Sequence, residues 1–591
     1  MQAVNISKEK YTRTLIVIAI LIILPYLLSN QYYTHILVLS GIYVIMALGL
    51  NIVVGFAGLL DLGYIAFYAV GAYTCALFST YFEVSFWLLL PLGGVLAAIF
   101  GILLGFPTLR VKGIYLATVT LGFGEIIRLV IRNWDSLTNG PKGIMGISHP
   151  HIFNFNLTSP VHFYYLILIL GVATTFISYR LSKSPLGKFW IAIKDNEIAA
   201  SVLGIDTVKM KLYAFAIGAF FAGVAGCFFA SWQGFVAPIS FTFLESIIVL
   251  CIVILGGMGS IVGSIISALI LVILPELLRQ FQLYRMLFFG LSLTFIMIYR
   301  SRRKIKAKEE SFRLENDKIQ KKEEISNIKE IFQTKNESAV KENIILEVEK
   351  ISKNFGGLKA LSNVNFKVRN LEILSIIGPN GAGKTTFFNC MSGIEKADQG
   401  RINFYEQRII GNYGSLPAHK IAKLGISRTF QNTCLFESLS VLENVLIGTY
   451  IQQNKNQKEN KKETLALELL NYVGLKEKSY ERVNNLSYGH QRYLEIARAL
   501  SVRPKLLLLD EPANGLNLHE KEILMNLLLD IREKLHVTII LIEHDMRVVM
   551  KISDHIVVLD HGERIAYGTP IEIQNNRLVQ EAYLGRGKKV E

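Results

Sequence analysis

The residues best placed to do chemistry lie in the C-terminal half of the chain. Gly378-Pro379-Asn380-Gly381-Ala382-Gly383-Lys384-Thr385-Thr386 has the spacing of a phosphate-binding loop. Its glycines let the backbone curl until successive N–H groups, with the start of the following helix, face the oxygens of a polyphosphate. Lys384 would bring a positive charge to the β and γ phosphates, and the Thr385 hydroxyl would ligate Mg²⁺. Further along, Asp510-Glu511-Pro512 closes an apolar run. Asp510 is placed to hold Mg²⁺ through its water shell and Glu511 to polarise an attacking water. The two segments together predict a site for ATP and Mg²⁺.

The elements that must position these groups are legible. Ile373 to Ile377 reads as a strand entering the loop, and a helical stretch leaves it. Leu506 to Leu509 reads as a strand buried on both faces, ending in the two acids. Upstream, residues 301 to 344 hold 21 charged residues in 44 with almost no Gly or Pro, which predicts a solvated, partly helical tether. The expected organisation is a membrane domain at 1–300, a linker at 301–344 and an ATP-binding domain at 345–591.

The N-terminal part is too apolar for an ordinary soluble domain. The whole chain is 51% hydrophobic, and much of that sits in runs near the roughly 20 residues that a helix needs to span a bilayer. Expected spans are 14–31, 35–55, 58–80, 86–107, 113–131, 161–179, 212–233, 243–258, 261–278 and 285–300, about ten in all. With the N-terminus inside, the basic loops at Arg110/Lys112, at Arg180 to Lys211 and after Arg300 all fall on the cytoplasmic side. The net charge of +15 therefore reads as membrane topology, and no nucleic-acid partner is expected. Five cysteines without CxxC spacing argue against a disulfide framework or a zinc site. Frequent glycines within the spans suit close helix contact. Glu125 and Arg128, three residues apart, should neutralise one another or line a polar route, with Asp61 and Glu245 as weaker candidates of the same kind.

Leu486-Ser487-Tyr488-Gly489-His490-Gln491-Arg492 resembles the signature motif of ABC ATPases. In that frame Gln431, after Thr429-Phe430, resembles the Q-loop and would touch Mg²⁺. His544 resembles the switch histidine at the γ-phosphate, and Phe355 the aromatic that stacks on adenine. Ser487 and Gly489 would close over ATP held by another cassette, so the resemblance implies a second cassette. Tyr488 and His490 depart from the usual Gly and Gln of the signature, and Asn517 stands where many family members carry Asp.

The membrane half resembles the permease of branched-chain amino acid importers in Gly41 to Leu60, Gly113 to Arg132 and Ser184 to Lys188. The cassette, with Gly568 to Glu572 and Ala582 to Gly585, resembles the ATPase subunit of the same system. The loop Ser184 to Gly204, with Glu197-Ile-Ala-Ala200, is similar to the segment by which such permeases grip a cassette. The resemblance implies a multi-domain protein: an all-α polytopic membrane domain followed by an α/β P-loop ABC ATPase. It also implies the cytoplasmic (inner) membrane, with the ATPase on the cytoplasmic side. Implied partners are a second permease and a second ATPase subunit, or a homodimer, and an extracytoplasmic solute-binding protein. Leucine, isoleucine and valine are the implied solutes, with urea or short amides as the runner-up. An exporter half-transporter and a cassette that gates without pumping are the competing readings.

Overall fold

The computed structural model describes residues 21–26, 30–109, 111, 113–152, 155–277, 290, 344–411, 414–451 and 459–584. These form two compact units. One holds the described residues up to Trp190 together with those from Val208 to Leu277 and Gly290, and the other holds Ile191–Thr207 together with everything described from Ile344 onward.

In the first unit, seven helical segments among the described residues are long and apolar enough to cross a membrane. They comprise α1 (Gln31–Leu50, continued by a π-helical turn Asn51–Phe56), α2 (Ile65–Phe82), α3 (Phe86–Thr108), α4 (Ile114–Asn133), α5 (Pro160–Lys183), α8 (Thr207–Gln233) and α9 (Phe243–Gly256) with the residues just before it. A shorter apolar helix, α10 (Ile261–Leu277), follows. Between α5 and α8 lie α6 (Pro185–Asp195) and α7 (Glu197–Val202). Most of the expected spans 14–31 and 285–300, and nearly all of the linker 301–344, lie outside the described residues.

Several boundaries differ from the sequence reading, the start of α2 by most. The segment expected as a span from 58 begins its helix only at Ile65, because residues 57–64 form a tight polar connection instead. Gly58 has φ +70°, and the buried Asp61 accepts the Gly63 N–H at 2.9 Å. The Leu62 N–H reaches the Thr120 hydroxyl at 2.9 Å, and the Asn51 amide oxygen accepts the Gly259 N–H at 2.8 Å. Irregular backbone among membrane helices is tolerated only when protein groups take up its hydrogen bonds, and here side chains do so.

The glycines answer for packing. A Cβ on Gly71 would sit 2.1 Å from the Gly223 carbonyl oxygen, and one on Gly63 1.9 Å from that of Thr120. Glu125 and Arg128 pair with each other at 2.7 Å, so local neutralisation is the arrangement found. Tyr43 donates to the Glu245 carboxylate.

The second unit begins with β1 (Ile344–Phe355) and β2 (Leu358–Arg369), which join β4 (Gln399–Phe404), β5 (Gln407–Gly411) and β6 (Gly414–Ser415) in an antiparallel sheet of order β6-β5-β4-β1-β2. A second sheet runs β7-β8-β9-β3-β10-β11, from β3 (Ile373–Ile377), β7 (Ile426–Arg428), β8 (Leu506–Asp510), β9 (Thr538–Ile542), β10 (His555–Asp560) and β11 (Glu563–Gly568). It is parallel up to the final β10–β11 pair. Leu506 and Leu508 of β8 enter one apolar cluster, Leu507 and Leu509 the other. Burial on both faces is why this strand is apolar at every position. The helices of this unit are α11 (Lys384–Met391), α12 (Ala418–Leu424), α13 (Val441–Ile451), α14 (Glu459–Tyr472), α15 (Tyr488–Leu500), α16 (Leu518–Leu535) and α17 (Met546–Ile552), with two short helices after β11.

Replacing Gly71 with valine should destabilise the membrane unit by about 2 kcal/mol or more, since bulk forced into close packing strains its neighbours. The Gly122→Ala control, where nothing lies within 4 Å of an added Cβ, should be silent. Thermal unfolding of the detergent-solubilised protein, read by size-exclusion chromatography, separates the two.

Candidate functional site

The phosphate loop runs from the end of β3 into α11. Gly378, Gly381 and Gly383 have φ of +152°, +83° and +94°. A Cβ on Gly378 would meet the Leu559 carbonyl oxygen at 2.1 Å, and one on Gly383 that of Ala360 at 2.4 Å. Both the conformation and the close approach therefore require glycine at these two positions. Lys384 folds back to donate to the carbonyls of Gly378 (2.7 Å) and Pro379 (2.9 Å). Burial pulls its ammonium below the usual lysine range, while the Glu511 and Asp510 carboxylates hold it up. Ala382 is buried; Asn380 and Thr385 are exposed, and Thr386 is half-buried.

Asp510, at the C-terminal end of β8, is buried and pairs through Oδ2 with Arg428 at 3.0 Å. Burial raises its carboxyl, and Arg428 pulls it back down. Its other oxygen, Oδ1, is buried without a hydrogen-bond partner. Arg428 is held by Asn389 (2.8 Å) and Ser392 (2.9 Å), and its guanidinium lies over the rings of Phe388 and Phe430.

The next residue, Glu511, has φ +46°, a left-handed conformation that is strained for a non-glycine residue. Its N–H donates to the Ile542 carbonyl at 2.9 Å, which fixes the backbone at the C-terminal end of the strands. Its Oε2 accepts from the Gln431 amide at 3.0 Å and from that of Asn514 at 3.4 Å, and lies 3.8 Å from His544 Nδ1. Gln431, Glu511 and His544, drawn from three separate loops, thus meet at one carboxylate oxygen.

Ser487 caps α15, and its hydrogen bonds go to His490. Gly489 leaves room that a Cβ would close against Glu520 at 2.8 Å. The same helix carries a buried charge triad. Glu495 lies 3.2 Å from Arg492 and 3.7 Å from Arg498, and accepts the Phe430 N–H at 3.1 Å. Arg492 donates to the Phe430 carbonyl (2.6 Å) and to that of Gln431, and Arg498 to that of Cys434 (2.7 Å). The loop that carries Gln431 is therefore laced to α15 through buried, charge-assisted bonds.

Residues Ile191–Thr207 pack into this same unit although membrane helices flank them in sequence. Asp195 accepts from the Ser438 N–H (2.8 Å) and hydroxyl (2.7 Å), and Asp206 lies 3.6 Å from His419 Nε2. Gly204, at φ +107°, brings its backbone against Ile451 and Ala422. The acids at either end of the segment, Asp195 and Asp206, make these contacts, which the reading centred on Glu197 missed.

Of the expected residues, Lys384, Asp510, Glu511, Gln431 and His544 converge around the loop. Phe355 ends β1 with 45% of its surface exposed and Lys353 Nζ 5.1 Å from its ring centroid, the placement of an available aromatic. Arg428 and Glu543 went unpredicted. Glu543 takes the Ala513 N–H at 2.7 Å and the His544 N–H at 3.1 Å, binding the loop after Glu511 to the loop of His544. A lone acid beside a histidine gave no signal for that.

A P-loop sheet carrying a signature helix, preceded in the chain by a unit of apolar spanning helices, defines a multi-pass ABC transport protein. Residues 32–297 match the family described as the permease component of branched-chain amino acid transport systems. Residues 361–514 match the ABC transporter family, and 563–589 the branched-chain amino acid ATP-binding cassette family. The permease protein LivM of the high-affinity branched-chain amino acid transport system of Escherichia coli is 43% identical, over 51% of this chain and 76% of LivM. The ATP-binding protein BraF of the corresponding system in Pseudomonas aeruginosa is 44% identical, over 41% of this chain and 98% of BraF. A solved nucleotide-free ATP-binding cassette of an ABC transporter is 31% identical, with a TM-score of 0.37, over 41% of this chain and all of that one. The chain belongs to the branched-chain amino acid ABC transporter family and joins a permease component and an ATP-binding component in one polypeptide. It is an ATP hydrolase coupled to transport.

Glu495→Ala should cost about 3–5 kcal/mol by leaving two buried guanidinium groups unmatched, and Glu495→Gln should cost less. Chemical unfolding of the full chain, followed at the cassette transition, measures both.

Proposed function

We propose that this chain imports leucine, isoleucine and valine across the cytoplasmic membrane as the fused permease and ATPase of an ABC importer. The observation that carries this reading is agreement between the halves: the relatives matched by each belong to systems named for the same solutes. Urea and short amides are the second solute class, and the cassette faces the cytoplasm.

ATP would lie on the loop Gly378-Pro379-Asn380-Gly381-Ala382-Gly383, with Lys384 turning from its two carbonyl partners to the β and γ phosphates. Loss of those carbonyls is offset by a stronger charge-assisted contact. Thr386 would serve the phosphates and Phe355 the adenine. The residues present fit Mg²⁺: an exposed threonine hydroxyl and a buried carboxylate oxygen without a partner, Asp510 Oδ1, are hard oxygen donors. Thr385, Asp510 and Gln431 would hold it, and when bound it neutralises phosphate charge. Glu511 would take the proton of the attacking water, with Gln431 and His544 orienting that carboxylate and the γ-phosphate.

Ser487 and Gly489 would close over nucleotide on a second cassette, supplied by another copy or by a different ATPase subunit. A second permease and an extracytoplasmic solute-binding protein complete the importer. The Asp195–Ser438 clasp supports assigning residues 191–207 as the segment that reports cassette closure.

In cells lacking their own branched-chain amino acid uptake, expression of the complete system should restore labelled leucine, isoleucine and valine uptake. Uptake of urea or acetamide alone would replace this solute assignment. Lys384→Ala should abolish ATP binding and uptake, whereas Glu511→Gln should keep ATP binding and lower turnover by about 100-fold or more, the scale of a lost general base. Asp195→Lys should leave hydrolysis running while uptake falls several-fold, and uptake per ATP is the readout.

A further inference from the structure

Ser487, the signature serine, does not stand alone. Its Oγ lies 2.9 Å from His490 Nδ1, and the Lys478 ammonium lies 3.1 Å from the same nitrogen. An ammonium can only donate, so Nδ1 holds a lone pair and the ring's single hydrogen is on Nε2. The Ser487 hydroxyl, the nearer of the two, shares that one lone pair as a second donor, while its oxygen takes the His490 backbone N–H at 3.4 Å. In this arrangement the hydroxyl proton is engaged by the imidazole and is not offered to another acceptor.

We propose that His490 is a positioning residue for the Ser487 hydroxyl, holding its proton inward while the ring is neutral and releasing it toward a phosphate when the ring is protonated. The proposal rests on the reading that Ser487 meets the nucleotide of a second cassette. With a proton on Nδ1 the ring donates to Ser487 Oγ, the hydroxyl hydrogen turns outward, and Lys478 is repelled from the nitrogen it had occupied. The groups acting on the ring are Lys478, which opposes protonation, and Glu520 and Glu481, which favour it. Burial together with Lys478 keeps the imidazole below its ordinary range. A phosphate at Ser487 adds negative charge beside the ring and so favours its protonated form. By reciprocity, protonation favours nucleotide. The departure from the usual glutamine at this position thereby makes nucleotide capture pH-dependent.

The test is the KM for Mg-ATP of the purified full-length chain, with whatever subunits copurify, from pH 5.5 to 8 for wild type, His490→Gln and Lys478→Met. Each pH compares variants under one condition, so titration of ATP itself cancels. The wild-type KM should fall by about fivefold relative to His490→Gln toward acid pH, the scale of one net hydrogen bond, with the pH trend of kcat the same in both. Lys478→Met should move the midpoint of that fall to higher pH. Superimposable KM profiles for wild type and His490→Gln, or a midpoint unmoved in Lys478→Met, overturn the proposal while leaving the importer reading intact if Lys384→Ala is inactive. Full hydrolysis by Lys384→Ala would instead overturn that reading and this inference with it.

Discussion

A buried carboxylate between two arginines is the interaction on which the working parts depend. Glu495 sits at the centre of α15, with Arg492 and Arg498 on the same helix face. Burial pushes the carboxyl up and the Arg498 guanidinium down, so each charge is kept only by the others and by the carbonyls they reach. Those carbonyls belong to Phe430, Gln431 and Cys434, the stretch that leads to the Ser438 clasp. Gln431, which meets Glu511, and Cys434, which precedes the Ser438 contact with Asp195, are thus both tied to α15, whose first turn is the signature.

The membrane unit solves a different problem with related means. Between α1 and α2 the Leu62 and Gly63 N–H groups find Thr120 and Asp61, and Asn51 of the π-helical turn takes the Gly259 N–H from the turn before α10. Glycines at α2 and α8 let backbone meet backbone, which is what holds helices together when lipid offers no hydrophobic drive. Close contact comes from small residues in this unit, and from apolar layers on both faces of a parallel sheet in the other.

Much of this was legible in the sequence because it depends on local chemistry. A phosphate loop needs its glycines at fixed spacing, a doubly buried strand must be apolar throughout, and a spanning helix must be long. Lys384, Asp510 and Glu511 could be placed for that reason. What escaped depends on contacts between residues far apart in the chain. Arg428 is an ordinary strand-end arginine until Asp510 is found beside it, and Glu543 an ordinary acid until Ala513 is. The loop 184–204 was singled out by resemblance, yet Asp195 and Asp206 were passed over for Glu197, since only the fold says which acid meets Ser438. The late start of α2 was missed because the connection at 57–64 is mostly apolar in sequence, so hydropathy runs through it, and its Leu62 and Gly63 N–H groups are taken up by side chains that only the fold brings to them.

The central proposal is that one polypeptide both hydrolyses ATP and moves branched-chain amino acids. The most direct test is accumulation of labelled leucine in proteoliposomes holding the purified complex, with ATP on the cassette side and the solute-binding protein on the other. The account predicts accumulation above the outside concentration that requires ATP and stops when ATP is replaced by a non-hydrolysable analogue. Solute-stimulated hydrolysis with no accumulation would contradict it.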